Sequence, residues 1–525
     1  MMSGAPKAEE PTEPPLDLVA RSTTGAATTA VVGLLGRGAG LLTTVLVTHF
    51  LSKAEYGHAN LALIISSVTN LATLMSPQQA LLTRHANYDL AARLVHFWAV
   101  WSGVLVSILL FWSGRPVLAA LGQPEAAPLL QVYCLALLLE RLGVIPALEL
   151  RYRLRFAEVA KLDLLGDASY VGVTVAAALL GAGAVCLPLG MAARHGARLL
   201  LLAAGVKRRM WPLPPARFGA KERELISQIV RYTLPIHLGA LGELATLYLD
   251  NVLVGALYGA AAQGLYAVGY TLVMTPTDTI ARYGANALVR ALGVKDGAAR
   301  QRVFLLGLRY LSLLLFPIGV GAALVAPTLE VALLPQHWLG VAPLVVGLSA
   351  GAVTLGCFQM AFAQLTALHR PTLGGLLPAT RVLLFGLGLY LVSRWDVHHQ
   401  HLSMVAWAVS AAFLLAVLIA IALSAHADHL RLMQIISALS PPLLGAVWMG
   451  VGLWLLKRGL QALGVAPSGL RLALEILVGI MIYGLYLRLA HPALWLQAST
   501  WLRQRNDPGR GAENIPEAVS PREPN

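Results

Sequence analysis

The chain has 525 residues, of which 57% are hydrophobic and only 12% charged, with a mean hydropathy of +0.67. A soluble globular domain carries about a quarter charged residues, so this composition excludes one and makes lipid the solvent. The net charge of +13 sits in short loops between apolar runs, which is topogenic patterning and excludes a nucleic-acid-binding face.

Residues 1–25 are polar and rich in Pro and Glu, so a disordered cytoplasmic tail without a cleavable signal is expected, and the first span must itself direct insertion. Apolar runs of about 20 residues, the length that crosses hydrocarbon as a helix, predict helices near 27–51, 58–82, 94–114, 127–150, 163–181 and 185–205. These form an N-terminal lobe over 26–206. A basic linker, 207–226, begins Lys207-Arg208-Arg209 and leads into helices near 228–255, 264–288, 303–326, 341–368, 374–393 and 402–424. That second lobe spans 227–424; a final pair near 435–456 and 469–489 lies within 425–500, and a polar tail covers 501–525. The expected fold class is an all-α integral membrane protein of about fourteen transmembrane helices, two pseudo-symmetric six-helix lobes plus two C-terminal helices. One set of alternate loops carries Arg151, Arg153, Arg155, Lys161, Lys207, Arg290, Lys295, Arg300 and Arg302, the other only Lys53, Arg115, Arg394, Lys457 and Arg458. The positive-inside rule then places both termini in the cytoplasm.

Weak internal similarity supports the two lobes. Leu51-Ser-Lys-Ala-Glu-Tyr-Gly57, joining the first two helices, parallels Leu257 to Gly264, joining the seventh and eighth. Two bundles related by an axis along the membrane normal put a binding cavity between them. Cys134, Cys186 and Cys357 lie far apart inside apolar segments and read as small core residues.

A charge near the bilayer midplane costs about 2.5–3.5 kcal/mol on insertion scales, so each needs a partner, water or a function. Arg37 lies on a small and polar stripe, Ala30, Gly33, Arg37, Gly40, Thr44 and Thr48, expected to face protein or water. The eighth helix presents Thr271, Thr275, Asp278, Arg282 and Asn286 on one face, where Asp278 and Arg282 are also spaced to neutralise each other. The seventh presents Gly239, Glu243, Thr246 and Asp250, suited either to a cation or proton or to balancing an arginine. Glu243, Asp250 and Asp278 are therefore the ion-coupling candidates. Arg381 falls mid-span in the eleventh helix and Glu140 and Arg141 in the fourth, while Asp163, Asp167, Arg194, His195 and Arg198 lie where they can snorkel. Converging, Arg37, Arg282 and Arg381 would line a cationic cavity fit for pyrophosphate, since guanidinium binds phosphate oxygens bidentately. His398, His399 and His401 lack cysteine and fixed ligand spacing, and no metal site or cofactor is expected.

The chain resembles the polysaccharide-transporter, or Wzx-type, branch of the multidrug/oligosaccharidyl-lipid/polysaccharide (MOP) flippase superfamily, to which the MATE antiporters also belong. The resemblance rests on Arg37 with Leu41 through Gly57, ending at Arg84, and on Asp250-Asn-Val-Leu-Val-Gly255 through Gly264 to Pro276. It implies a flippase, not an enzyme, moving an undecaprenyl-pyrophosphate-linked oligosaccharide across a bacterial inner membrane by alternating access. Membrane lipid and the polymerase and export proteins of such a pathway are the implied partners. In fourteen-span relatives the last two helices form a groove for the lipid tail. The chain departs from the pattern at His49, where relatives often carry Arg, and at Ser76-Pro77-Gln78-Gln79. Rival readings have specific requirements. An ATP-driven pump needs a P-loop, and no G-x-x-x-x-G-K-[ST] occurs. A polymerase or ligase needs catalytic polar loops, whereas the outside loops here run to roughly fourteen residues at most. A MATE-like ion-coupled antiporter would draw on the acidic face of the seventh helix.

Overall fold

The computed structural model describes residues 15–74, 81, 88–153, 155–205, 219–293, 296–368, 371–396 and 401–492. Residues 1–14 of the expected N-terminal tail, the whole expected C-terminal tail, residues 207–218 of the linker, Ser76–Gln79, and His398 and His399 lie outside the described residues. Every regular element among the described residues is helical. In chain order they are α1 (Pro15–Val47), α2 (Lys53–Leu74), α3 (Tyr88–Ala120), α4 (Ala127–Tyr152), α5 (Phe156–Leu179) and α6 (Cys186–Gly205). The run Ala220–Leu292 is broken at Gly259, whose φ of 81° and ψ of 176° divide it into α7 (220–258) and α8 (260–292). Then come α9 (Gly297–Leu333), α10 (Val341–Ala352), α11 (Leu355–Ala367), α12 (Pro371–Trp395), α13 (Leu402–Ala427), α14 (Leu432–Ala462) and α15 (Gly469–Ala490). Among the described residues, each of the fourteen expected segments is helical over most of its length, and eleven stretches are long and apolar enough to cross a bilayer.

The differences lie at helix ends. α2 starts at Lys53 rather than near 58 because Ser52 and Glu55 form a capping box: the Ser52 amide donates to Glu55 Oε2 at 2.8 Å and the Glu55 amide to Ser52 Oγ at 3.3 Å. α3 and α9 overrun the expected 94–114 and 303–326 at both ends, since an apolar run marks only the hydrocarbon-buried part of a longer helix. The expected 341–368 helix turns briefly at 353–354, where the Thr354 hydroxyl donates to the Gly351 carbonyl at 2.7 Å.

Chain reversal at Gly259 sets the architecture. Asn60 bonds Asn251 and His237 bonds the Ala72 carbonyl, so α7 runs antiparallel to α2. The Tyr266 hydroxyl bonds Asp250, so α8 folds back along α7. Residues 48–58, 121–126, 255–264 and 335–340, with Asp396 and His401, thus gather at one end of the bundle, here the crossing end. α14 and α15 pack on α9, with the Tyr483 hydroxyl donating to the Leu313 carbonyl at 2.9 Å. Trp448, Leu455 and Ile480 on that pair stay exposed, a surface that would aggregate in water and costs nothing in lipid.

Candidate functional site

At the crossing end the helix sets before and after the linker are clasped together. A Cβ on Gly57 would lie 1.9 Å from the Ala260 carbonyl oxygen, and one on Gly264 would lie 2.0 Å from the Lys53 oxygen. Each glycine therefore meets the carbonyl four residues before the other, and α2 and α8 touch backbone to backbone. Around this contact Gln123 Nε2 donates to the Gly255 carbonyl at 3.0 Å and to Gln263 Oε1 at 2.8 Å. Trp338 Nε1 donates to the Thr48 carbonyl at 2.8 Å, His337 Nε2 to the Leu51 carbonyl at 3.2 Å and Lys53 to the Leu339 carbonyl at 3.0 Å. Glu330 positions this loop by accepting from the Gly340 and Ala342 amides at 2.7 and 2.9 Å. Gln123, Gln263 and Trp338 are fully buried, so the clasp excludes water.

Deeper in the C-terminal set, Arg381 on α12 is 2% exposed and stacks over three rings, 4.0 Å from Phe413, 5.0 Å from Phe358 and 5.7 Å from Phe385. Cation–π attraction offsets part of its desolvation, but its Nε has no hydrogen-bond partner. Tyr270, Asp278, Arg282 and Asp250 lie within its electrostatic reach. Arg282 pairs with Asp278 at 2.6 Å along one face of α8, the self-neutralising arrangement their spacing allowed. Asp250 is fully buried and accepts from Tyr266 Oη and the Asn251 amide, both at 2.8 Å. The side chain of Glu243 lies outside the described ones.

Arg37 is placed differently. It is exposed on α1, in electrostatic reach of Asp167 on α5 and Tyr248 on α7. The stripe it belongs to does meet protein in part: a Cβ on Gly33 would strike the Tyr283 hydroxyl at 2.3 Å, and Thr44 and Thr48 are buried. The structure thus brings Arg282 and Arg381 together, with Arg37 on the facing helix set.

The residues expected to snorkel instead form ion pairs between α5 and α6. Arg194 bonds Asp167 at 2.5 Å and Arg198 bonds Asp163 at 2.9 Å. Their equal four-residue spacing on antiparallel helices was the available signal. Arg141, fully buried, turns to the Asn70 carbonyl and Thr73 hydroxyl of α2, both at 2.6 Å. Glu140 accepts from Asn70 Nδ2 at 2.7 Å and faces His195 Nε2 at 4.0 Å.

An all-helical bundle reversing at α7–α8, with charges inside and a clasp at one end, has the architecture of a multi-pass membrane protein. Solved structures agree: the fold matches the lipid II flippase MurJ in an inward closed conformation, with TM-score 0.69, 13% identity, and 88% of this chain and 98% of that one covered. An inward-facing MATE transporter of the MOP superfamily matches with TM-score 0.58, 15% identity, and 74% and 94% covered. Residues 46–343, more than half of the chain, match the model of a family described as "Polysaccharide biosynthesis protein", and the chain belongs to that family. It is also 22% identical over 397 residues to the teichuronic acid biosynthesis protein TuaB of Bacillus subtilis (strain 168), covering 75% of this chain and 80% of that protein.

Proposed function

We propose that the protein is a flippase that carries an undecaprenyl-pyrophosphate-linked oligosaccharide from the cytoplasmic to the periplasmic leaflet of a bacterial inner membrane. The observation that carries this reading is Arg381: a buried guanidinium whose Nε lacks a partner, near Arg282 and across from Arg37. Leaving a cation so poorly compensated in a membrane is costly unless an anionic cargo completes it. A pyrophosphate does so without disturbing the Asp278–Arg282 pair. Membership of a polysaccharide biosynthesis family and a fold shared with a lipid II flippase support the same cargo class.

In this reading the lobes are 26–206 and 227–424. The basic loops and both termini face the cytoplasm, so the clasp at Gly57 and Gly264 closes the periplasmic end. Opening it while the lobes approach at the basic end gives alternating access, and the apolar flank of α14 and α15 holds the lipid tail.

The test is made in cells lacking the gene. Lipid-linked oligosaccharide should accumulate in the cytoplasmic leaflet, with rescue by wild type but not by Arg381→Met or Arg37→Ala. Normal delivery to the periplasm, with the unit left unpolymerised or unligated, contradicts the proposal.

A further inference from the structure

We propose that Arg309 on α9 holds the phosphate of a glycerophospholipid of the cytoplasmic leaflet, on the membrane-facing side of the α9–α14 seam; this rests on the orientation given above, with the basic end in the cytoplasm. Near each end of the seam a cation of one helix meets a carbonyl of the other. Towards the crossing end Lys457 of α14 donates to the Leu324 carbonyl of α9, and Glu475 of α15 lies 3.9 Å from the same ammonium. Towards the opposite end Arg309 Nη2 donates to the Ser437 carbonyl of α14 at 3.1 Å. That carbonyl is available because Pro441, four residues on, has no N–H to return to it. Lys457 therefore has an anion in reach, and Arg309 has a carbonyl dipole alone.

The acids that could balance Arg309 are committed elsewhere. Glu330 is the only acid in the sequences of α9 and α14, and it is bound to the Gly340 and Ala342 amides at the crossing end. At the end nearer Arg309, Asp428 is bound by Arg300 and Asp296 caps α9 through the Ala298 amide. Arg309 Nε is buried and has no hydrogen-bond partner among the described residues. The residue lies six positions, about 9 Å, inside the apolar run that starts near 303. Helical side chains tilt towards the N-terminus, which for α9 is the cytoplasmic interface. A guanidinium left without an anion at this depth is costly, and an anionic lipid headgroup beside a cytoplasmic-side cation supplies one.

The adjoining surface suits the rest of such a molecule. Gln434 and Ser437 are exposed beside the guanidinium. From there Ile436, Leu443, Val447 and Val451 form an exposed apolar stripe along α14 for about 22 Å, room for an extended acyl chain. Arg302, two turns nearer the cytoplasm on the same side of α9, and Arg431 at the cap of α14 are both exposed and add attraction for an anionic headgroup. Arg381 and Arg282 belong to a different place, since Arg381 is enclosed by rings of α11, α12 and α13. Arg309 opens instead towards the membrane, where phospholipid is the abundant anion.

The test counts lipids bound to the purified full chain by native mass spectrometry, using dioleoylphosphatidylglycerol and dioleoylglycerol, which share tails and differ in the phosphate headgroup. Wild type is expected to bind the phosphate lipid about tenfold or more tightly, the worth of one charge-assisted bond. Arg309→Gln should carry one phosphatidylglycerol fewer than wild type at the same lipid concentration. Gln434→Glu keeps the capping bond to the Arg431 amide and sets a negative charge one turn from Ser437; it should lose the same lipid without removing any contact of Arg309, and it decides the matter if Arg309→Gln does not elute as a folded monodisperse species. Arg394→Gln, an exposed cation at the crossing end, should bind as many as wild type. Equal affinity of wild type for the two lipids, an undiminished count in folded Arg309→Gln or in Gln434→Glu, or a lost lipid in Arg394→Gln overturns the proposal. So does displacement of that phosphatidylglycerol by an equimolar amount of undecaprenyl pyrophosphate, which would give the site to the cargo's lipid. The count needs no oligosaccharide, so its failure leaves the flippase reading standing, and failure of the leaflet assay leaves this site standing.

Discussion

Replacing Gly57 with alanine puts a methyl group inside a backbone contact. The new Cβ would lie 1.9 Å from the Ala260 oxygen, 2.8 Å from its carbon and 3.1 Å from the Gly264 nitrogen. Backbone atoms cannot rotate aside, so α2 and α8 must separate by about 1.5 Å before the contact becomes an ordinary one near 3.5 Å. The Gln123 bonds at 3.0 and 2.8 Å and the Trp338 bond at 2.8 Å lie beside the crossing and stretch past hydrogen-bonding range with it. Overpacking costs about 1–3 kcal/mol and each lost bond about 0.5–1.5 kcal/mol. A net 2–3 kcal/mol against the clasped state shifts a two-state equilibrium by on the order of 30- to 150-fold. Spin labels at Leu180→Cys and Trp395→Cys, both exposed at the crossing end, should report a longer distance in Gly57→Ala and in its counterpart Gly264→Ala. Gly172→Ala, with nothing within 4 Å of its added Cβ, should leave the distribution unchanged. A folded Gly57→Ala with the wild-type distribution would refute the reasoning.

Other perturbations separate structural from transport roles. Gln123→Ala removes two buried bonds at the same end and should weaken the clasp by about 1–3 kcal/mol, lengthening the same distance less than Gly57→Ala does. Arg381→Met removes a buried cation that stability does not need; its Tm should hold or rise while transport falls by about tenfold or more, the worth of one charge-assisted contact. A drop in both would make Arg381 a structural residue. Glu475 is fully buried on α15 and bonds Arg471 and Thr328, each at 3.0 Å, with Lys457 at 3.9 Å. Glu475→Ala strands those cations and should cost about 3–5 kcal/mol, read as a lower Tm by scanning fluorimetry; an unchanged Tm contradicts it.

Much of the fold was legible because apolar runs of membrane length leave little choice of structure. The helix ends were less so, since polar residues beyond the hydrocarbon remain helical: α2 was expected from near 58, and the Ser52-x-x-Glu55 box that starts it at Lys53 was read as part of a turn. The parallel around Gly57 and Gly264 was visible as a repeat. That the two glycines touch was not, because a repeat does not say which of its copies cross. The pairing of Asp278 with Arg282 follows from local spacing and was among the expected arrangements. The ring cage around Arg381 combines residues from α11, α12 and α13, and no local pattern in sequence joins them. The Glu140–His195 pair was hidden for the same reason, being made between α4 and α6.

The most direct measurement reconstitutes the purified chain in vesicles carrying an undecaprenyl-pyrophosphate-linked oligosaccharide, and follows exposure of the glycan to a membrane-impermeant glycosidase. The account predicts that wild type moves internal glycan to the outer leaflet faster than protein-free vesicles do, and that Arg381→Met does not. Wild-type vesicles indistinguishable from protein-free ones, or a glycan that is elongated instead of moved, would contradict it.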